Sequence, residues 1–186
     1  GPIWVTNVDT GGLTFGISSY GGFAVNETSD RNYIFAANYY QGGTFYNASS
    51  VNAVGSLPTD SSILAGNFVA KYNRVGQLQW RSRTTASSTN NLYPGYMTLD
   101  SNNFIYMNEM TTASSSVVTA WTPTLGTTQS NGTTMGNITV GTAGTRFPVI
   151  TKRDFDGNLI WQTKLNINSN ALYATGICCL PFAGVT

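Results

Sequence analysis

Apolar and aromatic residues along this chain come in short runs, separated by clusters of Asn, Asp, Ser and Gly. Tyr33-Ile34-Phe35-Ala36-Ala37 follows the polar stretch 26–32, and Phe104-Ile105-Tyr106-Met107 follows Asp100-Ser101-Asn102-Asn103. Brief β-branched and aromatic runs bounded by such turn residues read as the strands of hairpins. Nowhere does a 3.6-residue apolar period persist, so no long helix is predicted. The pattern places strands at roughly 22–26, 33–38, 67–72, 77–83, 95–99, 104–109, 148–153 and 158–165. Two long insertions, 39–66 and 110–147, separate the second and third strand of each set of four. They are rich in Gly, Ser, Thr and Asn and do not resemble each other, so chain-specific function is expected on them. Further strands are expected within the second, at 117–121 and 137–140.

The two sets are spaced as copies. Residues 68–80 align without a gap on residues 149–161, an offset of 81, with Lys71/Lys152, Gly76/Gly157, Leu78/Leu159 and Trp80/Trp161 identical. Self-similarity of this kind signals supersecondary units that bury their apolar faces against a neighbour. A glycine at the end of each intervening turn suits a position of positive φ. Trp4 marks the same phase near the start, and Gly176-Ile177-Cys178-Cys179-Leu180 repeats the step after Trp161 near the end. The expected organisation is a partial repeat at 1–21, full repeats at 22–94 and 95–175, and the start of a third at 176–186.

The string Phe-Val-Ala-Lys-Tyr-Asn-x-x-Gly-x-Leu-x-Trp at 68–80, with Leu99-Asp100-Ser101-Asn102-Asn103-Phe104-Ile105-Tyr106, resembles the seven-bladed β-propeller repeat family. The segment 149–161 matches that pattern less closely, and both insertions fall outside it. The resemblance implies an all-β fold of antiparallel, four-stranded, propeller-blade-like repeats, with no catalytic residues to carry over. It also implies a secreted, cell-surface or virion-associated setting. The chain departs from the family in its long repeat and in holding only two full copies. A closed propeller needs about four to eight blades. Completion is therefore expected from further repeats of a longer chain or from other copies of this one.

Composition sharpens that expectation. Charged residues are 9% of the 186, and the net charge is +1, against roughly 25% charged residues in an average soluble domain. The polar surface must be made of Ser, Thr, Asn, Gln and Gly, which suits packing against copies of itself. Nothing provides the basic footprint of a nucleic-acid binder, and no apolar run is long enough for membrane insertion. The adjacent Cys178 and Cys179 read as two buried thiols, since a disulfide between neighbours is strained.

Histidine is absent, which removes the commonest general base and His-based nucleophile and zinc systems. The carboxylates fall mostly in predicted turns, with no pair spaced to face across a cleft. The expectation is no enzyme, no catalytic residue, no metal and no cofactor. Asp154-Phe155-Asp156-Gly157 has a calcium-loop flavour, but its counterpart Asn73 to Gly76 has no carboxylate, and a hairpin turn accounts for both. Four sequons, at Asn26, Asn47, Asn131 and Asn137, match what chance gives in so Asn-, Ser- and Thr-rich a chain.

Two functional readings result. The first is a non-enzymatic structural module that self-associates into an extracellular filament, coat, or virion- or cell-surface array. The second is a carbohydrate- or receptor-binding module, with Tyr39, Tyr40, Tyr46 and Trp121 on the insertions as contacts for glycans or assembly. Trp80 and Trp161 are expected in equivalent, largely buried places, Trp4 on a sheet completed from elsewhere, and Trp121 more exposed.

Overall fold

The computed structural model describes residues 8–9, 24–39, 42–57, 66–87, 92–113, 116–126, 132–140 and 145–164. Among them the chain is all-β: β1 (Val8–Asp9), β2 (Ala24–Glu27), β3 (Tyr33–Tyr39), β4 (Gly43–Tyr46), β5 (Ala53–Leu57), β6 (Gly66–Tyr72), β7 (Leu78–Ala86), β8 (Leu92–Leu99), β9 (Ile105–Ala113), β10 (Ser116–Trp121), β11 (Thr134–Val140), β12 (Thr145–Arg153) and β13 (Leu159–Lys164). They form a three-stranded sheet β1-β4-β5, a six-stranded sheet β11-β10-β7-β6-β3-β2 and a four-stranded sheet β13-β12-β9-β8. Every ladder is antiparallel. Among the described residues no sheet closes into a barrel or ring.

All eight strands expected from alternation are present, each within a few residues of its expected ends. They lie as two four-strand meanders, β2-β3-β6-β7 and β8-β9-β12-β13. Local detail matches between them. Lys71 pairs with Trp80 and Lys152 with Trp161, and a register shift follows the lysine in both. Gly76 and Gly157 close the turns at φ 77° and 84°, the left-handed region that only glycine enters without strain. In the preceding turns Arg31 and Asn103 both have φ 61°.

The six-stranded sheet lies between the other two. One of its faces carries Ile34, Ala36, Val69 and Trp80 against Met97, Ile105 and Met107 of the four-stranded sheet. Its other face carries Phe68, Ala70, Tyr72 and Leu78 against Phe45 and Leu57 of the three-stranded sheet. β6 is consequently buried at every residue. The first insertion thus supplies a covering hairpin, β4–β5, on which Val8–Asp9 adds a short strand. The second insertion supplies β10 and β11, and β10 pairs with β7 of the six-stranded sheet. Chain that leaves the four-stranded sheet therefore extends its neighbour before returning.

Candidate functional site

The matched lysine–tryptophan pairs are the natural place to look for function, because their surroundings differ. In the six-stranded sheet, alternation puts Ile34, Val69, Lys71 and Trp80 on one face, and the four-stranded sheet covers it. Trp80 keeps 8% of its surface exposed. The turn Asp154–Gly157 presses on this pair: Lys71 Nζ lies 3.1 Å from the Phe155 ring centroid. A Cβ placed on Gly157 would stand 3.0 Å from Cζ3 of Trp80. Burial lowers the pKa of the Lys71 ammonium, partly offset by the carboxylates of Asp156, Asp30 and Asp154.

In the four-stranded sheet the corresponding face, Tyr106, Ile150, Lys152 and Trp161, points outward. Trp161 is 40% exposed, so the expectation that it is buried like Trp80 does not hold. The strand position is the same, but among the described residues no sheet lies over this tryptophan, although Asn108 on the same face is buried. Lys152 Nζ instead lies over rings of its own sheet, 4.2 Å from Phe104 and 5.0 Å from Tyr106. Tyr106 meets Trp161 edge-on, with centroids 6.2 Å apart, and its hydroxyl donates to Asp100 Oδ2 at 3.1 Å.

Leu78 is buried beneath the three-stranded sheet, whereas Leu159 is half-buried and closes over Gly136 of β11. Trp4 and Tyr40 lie outside the described residues, as do Cys178 and Cys179.

The aromatics expected on the insertions do not form an exposed platform among the described residues. Tyr39 is a core residue at 2% exposure, its hydroxyl accepting from Arg83 Nη1. Trp121 is half-buried, not freely exposed. Its Nε1 donates to Thr85 Oγ1 at 2.9 Å, and the Arg83 guanidinium lies over its ring. Tyr46 is half-buried on β4.

A buried polar layer between the six- and four-stranded sheets escaped the sequence reading. Glu109 is fully enclosed; it accepts from Asn67 Nδ2 at 3.0 Å and from Thr151 Oγ1 at 2.9 Å. Burial raises its pKa, against the opposing effect of those hydrogen bonds, Arg153 and Thr84. Arg153, also fully enclosed, donates to Gly157 O at 2.8 Å and across the sheets to Arg83 O at 3.2 Å. Burial pushes its pKa down to about 10, so it stays charged at neutral pH. The available signal was four charges, Arg81, Arg83, Glu109 and Arg153, in or next to predicted strands of a charge-poor chain. Buried charges persist only where they are paired or hydrogen-bonded.

The calcium-like turn has another use for its carboxylate. Asp154 Oδ1 accepts from the backbone N–H of Asp156 and Asn158, as Asn73 Oδ1 does from Val75 and Gln77. Among the described residues no three His, Cys, Asp or Glu side chains gather as metal ligands, and no helix is long and apolar enough to cross a membrane. Comparison with family models, curated proteins and solved structures gives no match to this chain.

Proposed function

We propose that this chain is a non-enzymatic structural module built of blade-like repeats with a period of about 81 residues. It self-associates into an extracellular coat, filament, or virion- or cell-surface array. The observation that carries this reading is the exposed Trp161 on the outer, half-buried Tyr106–Ile150–Lys152 face. Its counterpart four strands away is used for packing one sheet on another, and Trp161 leaves 40% of a large apolar side chain in water.

Two further features support it. β8 ends the four-stranded sheet and contains no charged residue, and an uncharged edge is a template for strand addition. A surface poor in charge presents little electrostatic barrier to contact between copies. An array needs two different contacts, and an exposed tryptophan with an uncharged sheet edge provides two kinds.

Size-exclusion chromatography with light scattering, followed by negative-stain microscopy of concentrated samples, tests the proposal. Association that rises with concentration is expected. A monodisperse monomer up to millimolar concentration would exclude it.

A further inference from the structure

The buried polar layer contains a constellation able to do chemistry on the chain itself. We propose that Thr151 and Gln162 join as an ester: Thr151 Oγ1 attacks the carboxamide carbon of Gln162, Glu109 takes the hydroxyl proton, and ammonia leaves. The three side chains already touch. Thr151 Oγ1 donates to Glu109 Oε2 at 2.9 Å, and Gln162 Nε2 donates to Thr151 Oγ1 at 3.3 Å. The hydroxyl therefore aims its proton at a carboxylate and a lone pair at a carboxamide, the arrangement of a nucleophile beside its base. The bond forms within one copy, whether or not copies associate.

Strand pairing makes the product easy to accommodate. Thr151 on β12 and Gln162 on β13 are direct partners across the ladder, which sets their Cβ atoms about 4.5–5.5 Å apart. The linkage Cβ–Oγ1–Cδ–Cγ–Cβ spans such a gap without moving either strand. Asn67 Nδ2 holds the other carboxylate oxygen, Glu109 Oε1, at 3.0 Å, leaving Oε2 to the hydroxyl. Gln162 Oε1 is buried and accepts no hydrogen bond among the described residues. Desolvation without a partner raises the energy of that amide. An ester, with no N–H and a weaker acceptor, suits the site better.

The step balances without redox change or a co-reactant. The Oγ1–H bond breaks as Oγ1–Cδ forms, the proton passing to Glu109 and the negative charge to Gln162 Oε1. The Glu109 carboxyl then returns the proton to Nε2, Cδ–Nε2 breaks, and one ammonia is released. Thr151 and Glu109 are fully enclosed, which keeps water from competing for the acyl carbon. Half-burial of Gln162 gives ammonia a way out. Burial also raises the pKa of Glu109, which strengthens its ionised form as a base. The reaction happens once per chain and consumes the chain's own residues, so it is not turnover. Its product ties β13, the end strand of its sheet, to β12.

Denaturing intact-mass measurement of the full chain, freshly purified and again after prolonged incubation in the folded state, is the experiment. A mass lower than the sequence mass by one ammonia is expected. Trypsin should then yield Phe147–Lys152 joined to Asp154–Lys164, and hydroxylamine, which cleaves esters, should part them. Gln162→Ala and Thr151→Val are expected to keep their full sequence masses, and Glu109→Gln to slow the loss by about 10²-fold or more. If the variants at the enclosed positions do not fold, Gln162→Ala, at a half-buried position, decides alone. A folded unaltered chain that keeps its sequence mass throughout would overturn the proposal, and so would an ammonia loss that survives Gln162→Ala. Either result leaves self-association standing.

Discussion

Lys71–Trp80 and Lys152–Trp161 are the same pair on the same kind of strand, with the same register shift and the same glycine turn beside them. One is covered by a neighbouring sheet; over the other no sheet lies among the described residues, and its lysine is half-buried. In the covered pair the ammonium is desolvated and lies over an aromatic ring brought by the next sheet's turn. In the open pair it lies over rings of its own sheet. The strand sets where a side chain points; the layer above sets what that side chain contributes. The same residue pair therefore lies in a core in one place and on a half-buried outer face in the other.

The sharpest test of this difference is truncation of each tryptophan. Trp80→Ala is expected to cost about 3–5 kcal/mol, as for other large core side chains. Trp161→Ala is expected to cost clearly less, about 1 kcal/mol, since Trp161 keeps 40% of its surface exposed. Urea denaturation of both variants measures it, and equal costs would break the comparison. Next in size is Gly157→Ala. It forces a left-handed residue at about 1–2 kcal/mol and drives a Cβ against Trp80, where overpacking costs about 1–3 kcal/mol. A denaturation midpoint lower by the equivalent of about 2–5 kcal/mol is expected.

The polar layer gives a pH-dependent version of the same contrast. With its pKa raised by burial, Glu109 holds its proton more tightly in the folded chain than in the unfolded one. Its contribution is therefore complete below the ordinary value of 4.5 and is lost as pH rises through the folded value. Denaturation midpoints measured from pH 4 to 8 are expected to fall across that window, and Glu109→Gln is expected to remove this part of the slope. The smallest effect concerns the turns that meet where the sheets stack. Asn103 donates to Ser29 Oγ at 2.9 Å and accepts from Ser29 N at 3.2 Å. Asn103→Gly keeps the positive φ while deleting both bonds, and is expected to cost about 1 kcal/mol by thermal melting.

Short β-branched and aromatic runs made the eight meander strands legible, because the turns that join them at 28–32, 73–77, 100–104 and 154–158 are rich in Asn, Asp and Gly. The β4–β5 hairpin was not located from sequence. Gly43 to Tyr46 and Ala53 to Leu57 are short, and Gly55 interrupts the second; the close approach of Leu78 and Arg81 to Gly55 explains that glycine only once the layers are known. β7 was legible as a strand but not as a buried one. Arg81, Ser82, Arg83, Thr84 and Thr85 look like a solvent face, yet all five are enclosed. Their polar groups are met by distant partners, such as Trp121 O for Ser82 Oγ and Ser56 O for Arg81 Nε. Local pattern carries no record of such partners. The outer face was visible as a repeat of the inner one, but its openness was not, since burial depends on what another sheet places above it.

The pairing of β10 with β7 bears on how the chain folds. In arrays where each unit touches only its neighbour, folding can begin in one unit and spread, and units can be removed from an end. Here the polypeptide leaves the four-stranded sheet after β9, completes part of the six-stranded sheet, and only then returns as β12. The six-stranded sheet therefore cannot complete its strand order until chain that follows the first two strands of the four-stranded sheet has joined it. The loops that must close are long, which slows folding. The same interleaving is expected to couple the two sheets in unfolding, since cutting between residues 87 and 92 would part β7 from the β10 that pairs with it.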